Sequence, residues 1–305
     1  MTLPLISVMI DTYNYGCLIE EANEGVLSQN VSADQMEILV VDDGSTDDAT
    51  KRKKKYGTKS RYFRKENGGQ VSASNLGLSR SRCGIICFLD ADDLWLPNKI
   101  GSVAEAFENN PAGMVSNSYE LSGPDSSGPR KPEVNFVSGD ISKNLESLLR
   151  YRIFPTSCLS FCRVTPGRLM PIQETIRLQT DAFLAVLAVF IAPVSTLPES
   201  LDIYGTHYNN LLCVSAAQRT PKSQRRINLM WEVVFREMSF WLQRNEFNPQ
   251  PPSIRTFLDQ WEPFRRIAEF WNLTVLNYLS GMATLAWGYK LPRPQQMPPE
   301  RSHHA

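Results

Sequence analysis

The chain lacks most of the features that would place it at a glance. It has no net charge: Lys+Arg and Asp+Glu balance at 32 each. No global field therefore draws it towards nucleic acid or anionic lipid, and any electrostatic function has to be local. It has no CxxC. The six cysteines (Cys17, Cys83, Cys87, Cys158, Cys162, Cys213) are scattered, and the two close pairs have three residues between them, unlike zinc or dithiol redox sites. Buried free thiols in a reducing compartment are the expectation. The N-terminus has no basic leader followed by a long apolar run, which points to a cytoplasmic protein. Gly68 and Gly69 are followed by no Lys-Ser/Thr pair and form no GxGxxG, so neither a P-loop nor a dinucleotide fingerprint is present. Histidine is scarce, and His207 is the one histidine outside the C-terminal tail.

What the chain does have is alternation. Apolar runs of strand length at 6–10, 36–41, 85–89 and 114–115 are separated by segments of helix length at 18–29, 46–56, 70–82 and 97–109. Strand, helix, strand in series predicts an α/β fold with a parallel sheet, right-handed crossovers and helices on both faces. In such sheets ligands sit beyond the carboxyl ends of the strands. Polar clusters gather at those ends: Asp11-Thr12-Tyr13-Asn14, Asp42-Asp43-Gly44-Ser45 and Asp90-Ala91-Asp92-Asp93. Three carboxylates in the last cluster call for a positive partner. A divalent cation bound to a diphosphate suits them, because hard cations take carboxylate oxygens and keep positions open for phosphate.

Each cluster also has a structural reading. Ser45 and Asp48 have the spacing of a capping box for a helix from Thr46, and Asn67-Gly68-Gly69-Gln70 reads as a turn opening a helix. In the functional reading, Asp42 or Asp43 accepts hydrogen bonds from a nucleobase or ribose, and the two glycines let the main chain approach a nucleotide closely. Asn75 would then hold a loop in place. The basic run 51–55 reads as a solvated helix face and not as a nucleic-acid site.

Taken in order, Asp11-Thr12-Tyr13-Asn14, Asp42-Asp43-Gly44-Ser45-Thr46-Asp47, Glu66-Asn67-Gly68-Gly69-Gln70, Asn75-Leu76-Gly77 and the stretch 88–99 (FLDADDLWLPNK) resemble the family 2 glycosyltransferases. The resemblance is dense over about the first 115 residues and thinner to about residue 210. It implies a GT-A fold, which is a mostly parallel twisted sheet flanked by helices, here with a C-terminal helical extension. It also implies a nucleoside-diphosphate sugar donor (a UDP-sugar first among them), Mn²⁺ or Mg²⁺, a glycan or lipid-linked acceptor, and inversion at the anomeric carbon.

Carried over by position, the resemblance makes Asp92 a metal ligand and Asp90 a contact to metal or ribose. Thr12 and Tyr13 border the base, Asp43 reads uracil or a similar ring, and Asp42 supports it. Asp11, Asn67, Gly69, Asn75 and Ala91 complete the nucleotide-sugar set. Asp11 stands where proline or threonine is commoner, and Ser74 where an arginine often precedes the asparagine.

The second half has to supply the acceptor side. Asp181 precedes an apolar stretch too short to span a bilayer, with Thr180 as N-cap. Structurally it is a first-turn carboxylate favoured by the helix dipole. The resemblance makes it the catalytic base, ionised by the dipole or made more basic by burial. His207, in a segment similar to a Tyr-Arg-x-His pattern with Gly205 replacing the arginine, is either a structural hydrogen-bonder or a contact to metal, diphosphate or acceptor. Residues 154–157 are expected beside the acceptor.

The organisation expected is a catalytic unit over 1–215, divided into a donor half (1–115) and an acceptor half (116–215). Helices follow over 216–291, then a disordered tail over 292–305. Apolar residues at spacings of three and four over 223–244 need a surface to pack on. The polar residues within 270–289 weigh against a membrane span and favour a helical cap, a homodimer surface or peripheral membrane contact. A sugar nucleotidyltransferase and a non-catalytic sugar-nucleotide binder or scaffold are the competing readings.

Overall fold

The computed structural model describes residues 6–47, 59–122, 131, 136–143, 154–206 and 221–245. Its eight strands are β1 (Ile6–Thr12), β2 (Met36–Asp42), β3 (Ser60–Arg64), β4 (Ile85–Asp90), β5 (Leu94–Trp95), β6 (Met114–Ser122), β7 (Leu159–Cys162) and β8 (Val194–Gly205). They form one sheet in the order β3-β2-β1-β4-β7-β6-β8-β5. The helices are α1 (Ile19–Leu27), α2 (Gln70–Arg80), α3 (Lys99–Asn109), α4 (Val164–Leu169), α5 (Thr180–Ala188) and α6 (Pro221–Arg244).

The central strands β1 and β4 are buried on both faces, which is why they read as nearly continuous apolar runs. Alternation within them separates two cores. Val8, Ile10, Cys87 and Leu89 meet Ile19, Ala22 and Val26 of α1 and Ile100 and Val103 of α3 on one face. Met9, Ile86 and Phe88 meet Val71 of α2, the apolar body of α5, and Trp231, Val234 and Met238 of α6 on the other. The stripe on α6 thus finds the surface its spacing called for.

The sheet is less uniform than the expected parallel one. β1 to β4, β6 and β8 run one way, while β7 is antiparallel to β4 and β6, and β5 is antiparallel to β8. β8 carries Pro198, which cannot donate to a ladder. The register passes from Asn117↔Leu197 to Ser118↔Ser200, so the proline sits in an irregularity where no donor is needed.

The helix expected over 46–56, His207, the run 254–289 and the tail lie largely or wholly outside the described residues. Cys83, Cys87 and Cys158 are buried free thiols as expected, but Cys17 is exposed and Cys162 half-buried. Among the described residues no helix is long and apolar enough to cross a membrane.

Candidate active site

The chain runs outward from β1 through β2 to β3 and then returns to β4 on the other side of β1. The strand order therefore reverses between β1 and β4, and a crevice opens there at the carboxyl ends. The register puts Asp11 opposite Asp90 and Thr12 opposite Asp42. Two further backbone bonds extend the pairing beyond the strands. Asp43 N–H donates to the Thr12 carbonyl (2.9 Å), and Ala91 N–H to the Asp11 carbonyl (3.1 Å).

In the loop after β4, Asp90, Asp92 and Asp93 each offer a carboxylate oxygen, and these atoms lie within 4.8 Å of one another. Burial first, and repulsion from Asp92 next, push the Asp90 carboxyl up to about 6. Burial and the charge of Asp90 raise Asp11 and Asp93 well above the usual carboxylate range. This all-oxygen donor set, crowded by its own repulsion, fits a hard divalent cation, which would relieve that repulsion.

The loop is held from beneath by residues distant in sequence. Ser157 Oγ–H donates to Asp93 (2.5 Å), and the Asp90 N–H donates to Ser157 Oγ (3.0 Å). The Ser157 carbonyl accepts from Trp95 Nε1 (3.2 Å) and from Lys99 Nζ (3.0 Å). Lys99 is wholly buried and pairs with Asp202 at 3.1 Å, with Asn117 as a further acceptor. From the other side, Gly205 N–H donates to Asp93 (2.8 Å). A Cβ on Gly205 would lie 2.1 Å from the Asp92 carbonyl oxygen, so the glycine is there because β8 ends against the acid loop. In the stretch 154–157, Phe154 is in the core, while Thr156 and Ser157 bond to Gln70 and to this loop.

At the end of β2, Asp42 is fully buried. It accepts from Ser45 N–H (2.7 Å) and the Tyr62 hydroxyl, with the Arg64 guanidinium 3.6 Å away. Asp43 gathers the next loop around itself. One oxygen accepts from Lys65 Nζ (3.0 Å) and Gly68 N–H (2.9 Å), the other from Asn67 Nδ2 (3.0 Å) and Gly69 N–H (2.7 Å). Asn14, in left-handed backbone conformation, donates its N–H to Ser45 Oγ (2.9 Å), so the Ser45 hydroxyl ties the first two clusters together. Tyr13 is exposed, and the buried Thr12 hydroxyl has no hydrogen-bond partner among the described residues. Asn75 holds a loop, as expected: its amide both donates to the Ile172 carbonyl (2.8 Å) and accepts from the Ile172 N–H (2.9 Å).

Asp181 stands in the first turn of α5, whose other residues are all buried. The N-cap position belongs to Gln179, with φ 71°, and not to Thr180, which is already helical. Gln179 thus takes a left-handed turn that a non-glycine residue adopts at some cost. Between dipole and burial, burial prevails. It raises the Asp181 carboxyl to about 7, against a hydrogen bond from Ala182 N–H (2.8 Å), and the charge of Asp90 adds to the rise. The two groups therefore sense each other. A single side chain also ties Asp90 to the residue before Asp181: Gln70 donates to Asp90 (3.2 Å) and accepts from Thr180 N–H (3.4 Å). The sequence alone assigns no role to Gln70, Ser157, Lys99 or Asp202. Gln70 and Lys99 lie in the stretches that carry the resemblance and Ser157 in the stretch expected beside the acceptor, but no local pattern gives their partners.

A reversed strand order with an acidic loop at the crevice and a carboxylate across from it is the arrangement of a GT-A glycosyltransferase fold. Solved structures agree on the fold. Staphylococcus (S. aureus) TarS 1-349 in complex with UDP superposes with a TM-score of 0.57 over 93% of this chain and 89% of that one, at 15% identity. The mannosyltransferase PcManGT from Pyrobaculum calidifontis, in complex with GDP-Man and Mn²⁺, gives 0.55 over 96% and 77%, at 18% identity. Residues 7–163, just over half of the chain, match the family described as Glycosyl transferase family 2, and the chain belongs to that family. An uncharacterized glycosyltransferase of Nostoc sp. is 29% identical over 237 residues, 73% of this chain and 72% of the relative. One from Rickettsia felis is 34% identical over 162 residues, and there the match spans 27% of the relative's length.

Proposed function

We propose that this glycosyltransferase moves a sugar from a nucleoside-diphosphate donor to an acceptor hydroxyl in a single displacement with inversion. The observation that carries the reading is the pairing of two carboxylate environments across one crevice. The acid loop at the end of β4 suits a cation, and Asp181, whose neighbour Thr180 is tied to that loop through Gln70, has a carboxyl raised to about 7. A base whose pKa lies near the working pH combines a useful ionised fraction with real basicity.

In this proposal Asp92 and Asp90 hold Mn²⁺ or Mg²⁺, which when bound neutralises charge on the departing diphosphate. Asp93, tied down by Ser157 and Gly205, keeps the loop in shape. Asp181 takes the proton of the acceptor hydroxyl as its oxygen attacks from the face opposite the diphosphate. Thr12 and Tyr13 border the base, and Asp11, Gly69 and Ala91 line the approach to the phosphates. Asp43 already accepts four hydrogen bonds, so it reads a base only when a mobile donor, Lys65 or Asn67, turns aside. His207 stays in the proposal as a metal or diphosphate contact because it follows Gly205 by two residues.

The neighbour complexes contain UDP, UDP-GlcNAc and GDP-Man, which supports a nucleotide sugar as donor class, with a UDP-sugar as first choice. The acceptor is a glycan or a lipid-linked glycan.

The test is a thermal-shift screen of UDP-, GDP- and dTDP-sugars with and without Mn²⁺, since a ligand of the folded state raises apparent stability by mass action. Turnover of the stabilising donor is then measured in wild type and Asp181→Asn. The expected result is a Mn²⁺-dependent shift in both proteins and turnover in the wild type alone. No shift from any nucleotide sugar would remove the donor, and equal turnover in the variant would remove the base.

A further inference from the structure

The segment that leads into α5 is stapled along α2 at three points. Asn75 grips both backbone groups of Ile172. Gly69, with φ 95°, lets the backbone of Arg177 come so close that a Cβ would lie 2.4 Å from the Arg177 carbonyl oxygen, while the Arg177 guanidinium donates to Asn67 (2.6 Å). The third staple is Gln70, the first residue of α2, and it bonds to both the acid loop and the start of α5. Its Nε2 donates to Asp90 Oδ1 (3.2 Å) and to Thr156 Oγ1 (3.3 Å), and its Oε1 accepts the N–H of Thr180 (3.4 Å).

That N–H is one of the unpaired donors at a helix start, where no intrahelical acceptor exists. The side chains of Gln179 and Thr180 do not supply one: Gln179 makes no side-chain capping bond, and the buried Thr180 hydroxyl has no hydrogen-bond partner among the described residues. The start of the helix carrying Asp181 is therefore capped from another element, and the cap is the amide that also holds a carboxylate of the acid loop.

We infer that Gln70 is a positioning residue that fixes the start of α5, and with it Asp181, relative to Asp90. Only a group that donates at one end and accepts at the other, at the length of a glutamine, can span the two. Asparagine is a methylene too short, and methionine has the length but neither bond. The inference rests on the proposed roles of Asp181 and the acid loop for its catalytic consequence, but not for its structural one.

The experiment compares wild type with Gln70→Met and Gln70→Asn by three readouts: amide hydrogen exchange over residues 180–183, Mn²⁺ affinity by calorimetry, and steady-state kinetics with the stabilising nucleotide sugar. Both variants are expected to exchange the Thr180 amide at least about fivefold faster. They should bind Mn²⁺ within about threefold of wild type and keep the donor KM within about threefold. The kcat should fall about 10- to 100-fold, the scale of a misplacement near 1 Å. Unchanged exchange at Thr180 in Gln70→Asn, the milder change, would overturn the inference, as would a kcat within twofold of wild type. A chain that turns over no nucleotide sugar defeats the functional proposal instead, and the exchange measurement still decides what Gln70 does.

Discussion

Asp181→Asn separates what the proposed base costs the fold from what it does. Burial lifts the wild-type carboxyl from 3.8 to about 7, so the folded chain holds this proton more tightly than the unfolded chain does. The stability contributed by the neutral carboxyl is therefore complete below pH 3.8 and is lost as pH rises through about 7. A rise of that size corresponds to roughly 4 kcal/mol in a dry site. Asp181 keeps partial solvent contact, and screening reduces the figure to about 1–3 kcal/mol. Asparagine preserves the shape and can accept the Ala182 N–H, but it cannot ionise. Thermal unfolding of the two proteins should match at about pH 3, below the unfolded value of 3.8. At pH 9 the variant should melt higher by about 2–9 °C, taking about 2–3 °C per kcal/mol for a chain of this size. Turnover should fall about 10²- to 10⁴-fold in the variant, and wild-type kcat/KM should drop about tenfold for each pH unit below 7. A melting difference that does not change with pH, or that favours wild type at pH 9, would refute the burial argument.

Three further outcomes follow from the same geometry. Lys99→Met leaves Asp202 buried without its cation and should cost about 3–5 kcal/mol in urea unfolding, part of which Lys99→Met/Asp202→Leu should recover; a single variant as stable as wild type would show that the pair does not hold the loop's floor. Gly205→Ala drives a Cβ to 2.1 Å from the Asp92 carbonyl oxygen and should cost about 1–3 kcal/mol while weakening Mn²⁺ binding by calorimetry; unaltered Mn²⁺ affinity would separate β8 from the acid loop. Chelation by EDTA should abolish sugar transfer and added Mn²⁺ restore it, with Asp92→Asn needing about tenfold more metal or greater; full activity in EDTA would remove the cation from the reaction.

The acidic clusters at the strand ends were legible because their placement is local. Apolar runs ending in Asp11-Thr12, Asp42-Asp43 and Asp90-Asp93 specify both the strands and the residues at their ends, and parallel pairing brings the ends to one rim. The strand β3 was missed: Ser60-Arg61-Tyr62-Phe63-Arg64 lies at the sheet edge, only partly buried, so it carries no apolar run. β7 and β8 escaped for another reason. β7 is four residues long and β8 contains a proline, and each becomes a strand because of the partner beside it.

The support beneath the acid loop was not legible as such. Lys99 closes the stretch 88–99 that carries the resemblance, but nothing in that stretch marks it as buried. What makes Lys99 a buried cation is Asp202, 103 positions downstream, and the Ser157 carbonyl, 58 positions away. No periodicity encodes such a meeting. The same holds for Gln70, whose place in a turn was visible but whose two partners, Asp90 and Thr180, lie 20 and 110 positions on.

This division has a physical origin. Groups that meet a ligand have to sit where the chain leaves a strand, and that boundary is written in the local pattern of hydrophobic and polar residues. Groups that hold them in place satisfy buried donors and acceptors, and they can come from anywhere the fold brings within 3 Å or so. The raised carboxyl of Asp181 belongs to both categories. Its position at a helix start was readable, whereas its basicity comes from the surrounding side chains of a core assembled from both halves of the chain. Substitutions in that core that admit water beside α5 should therefore lower the pKa of the base without touching it, and a pH–rate profile would detect this as a shift of the rising limb towards acid.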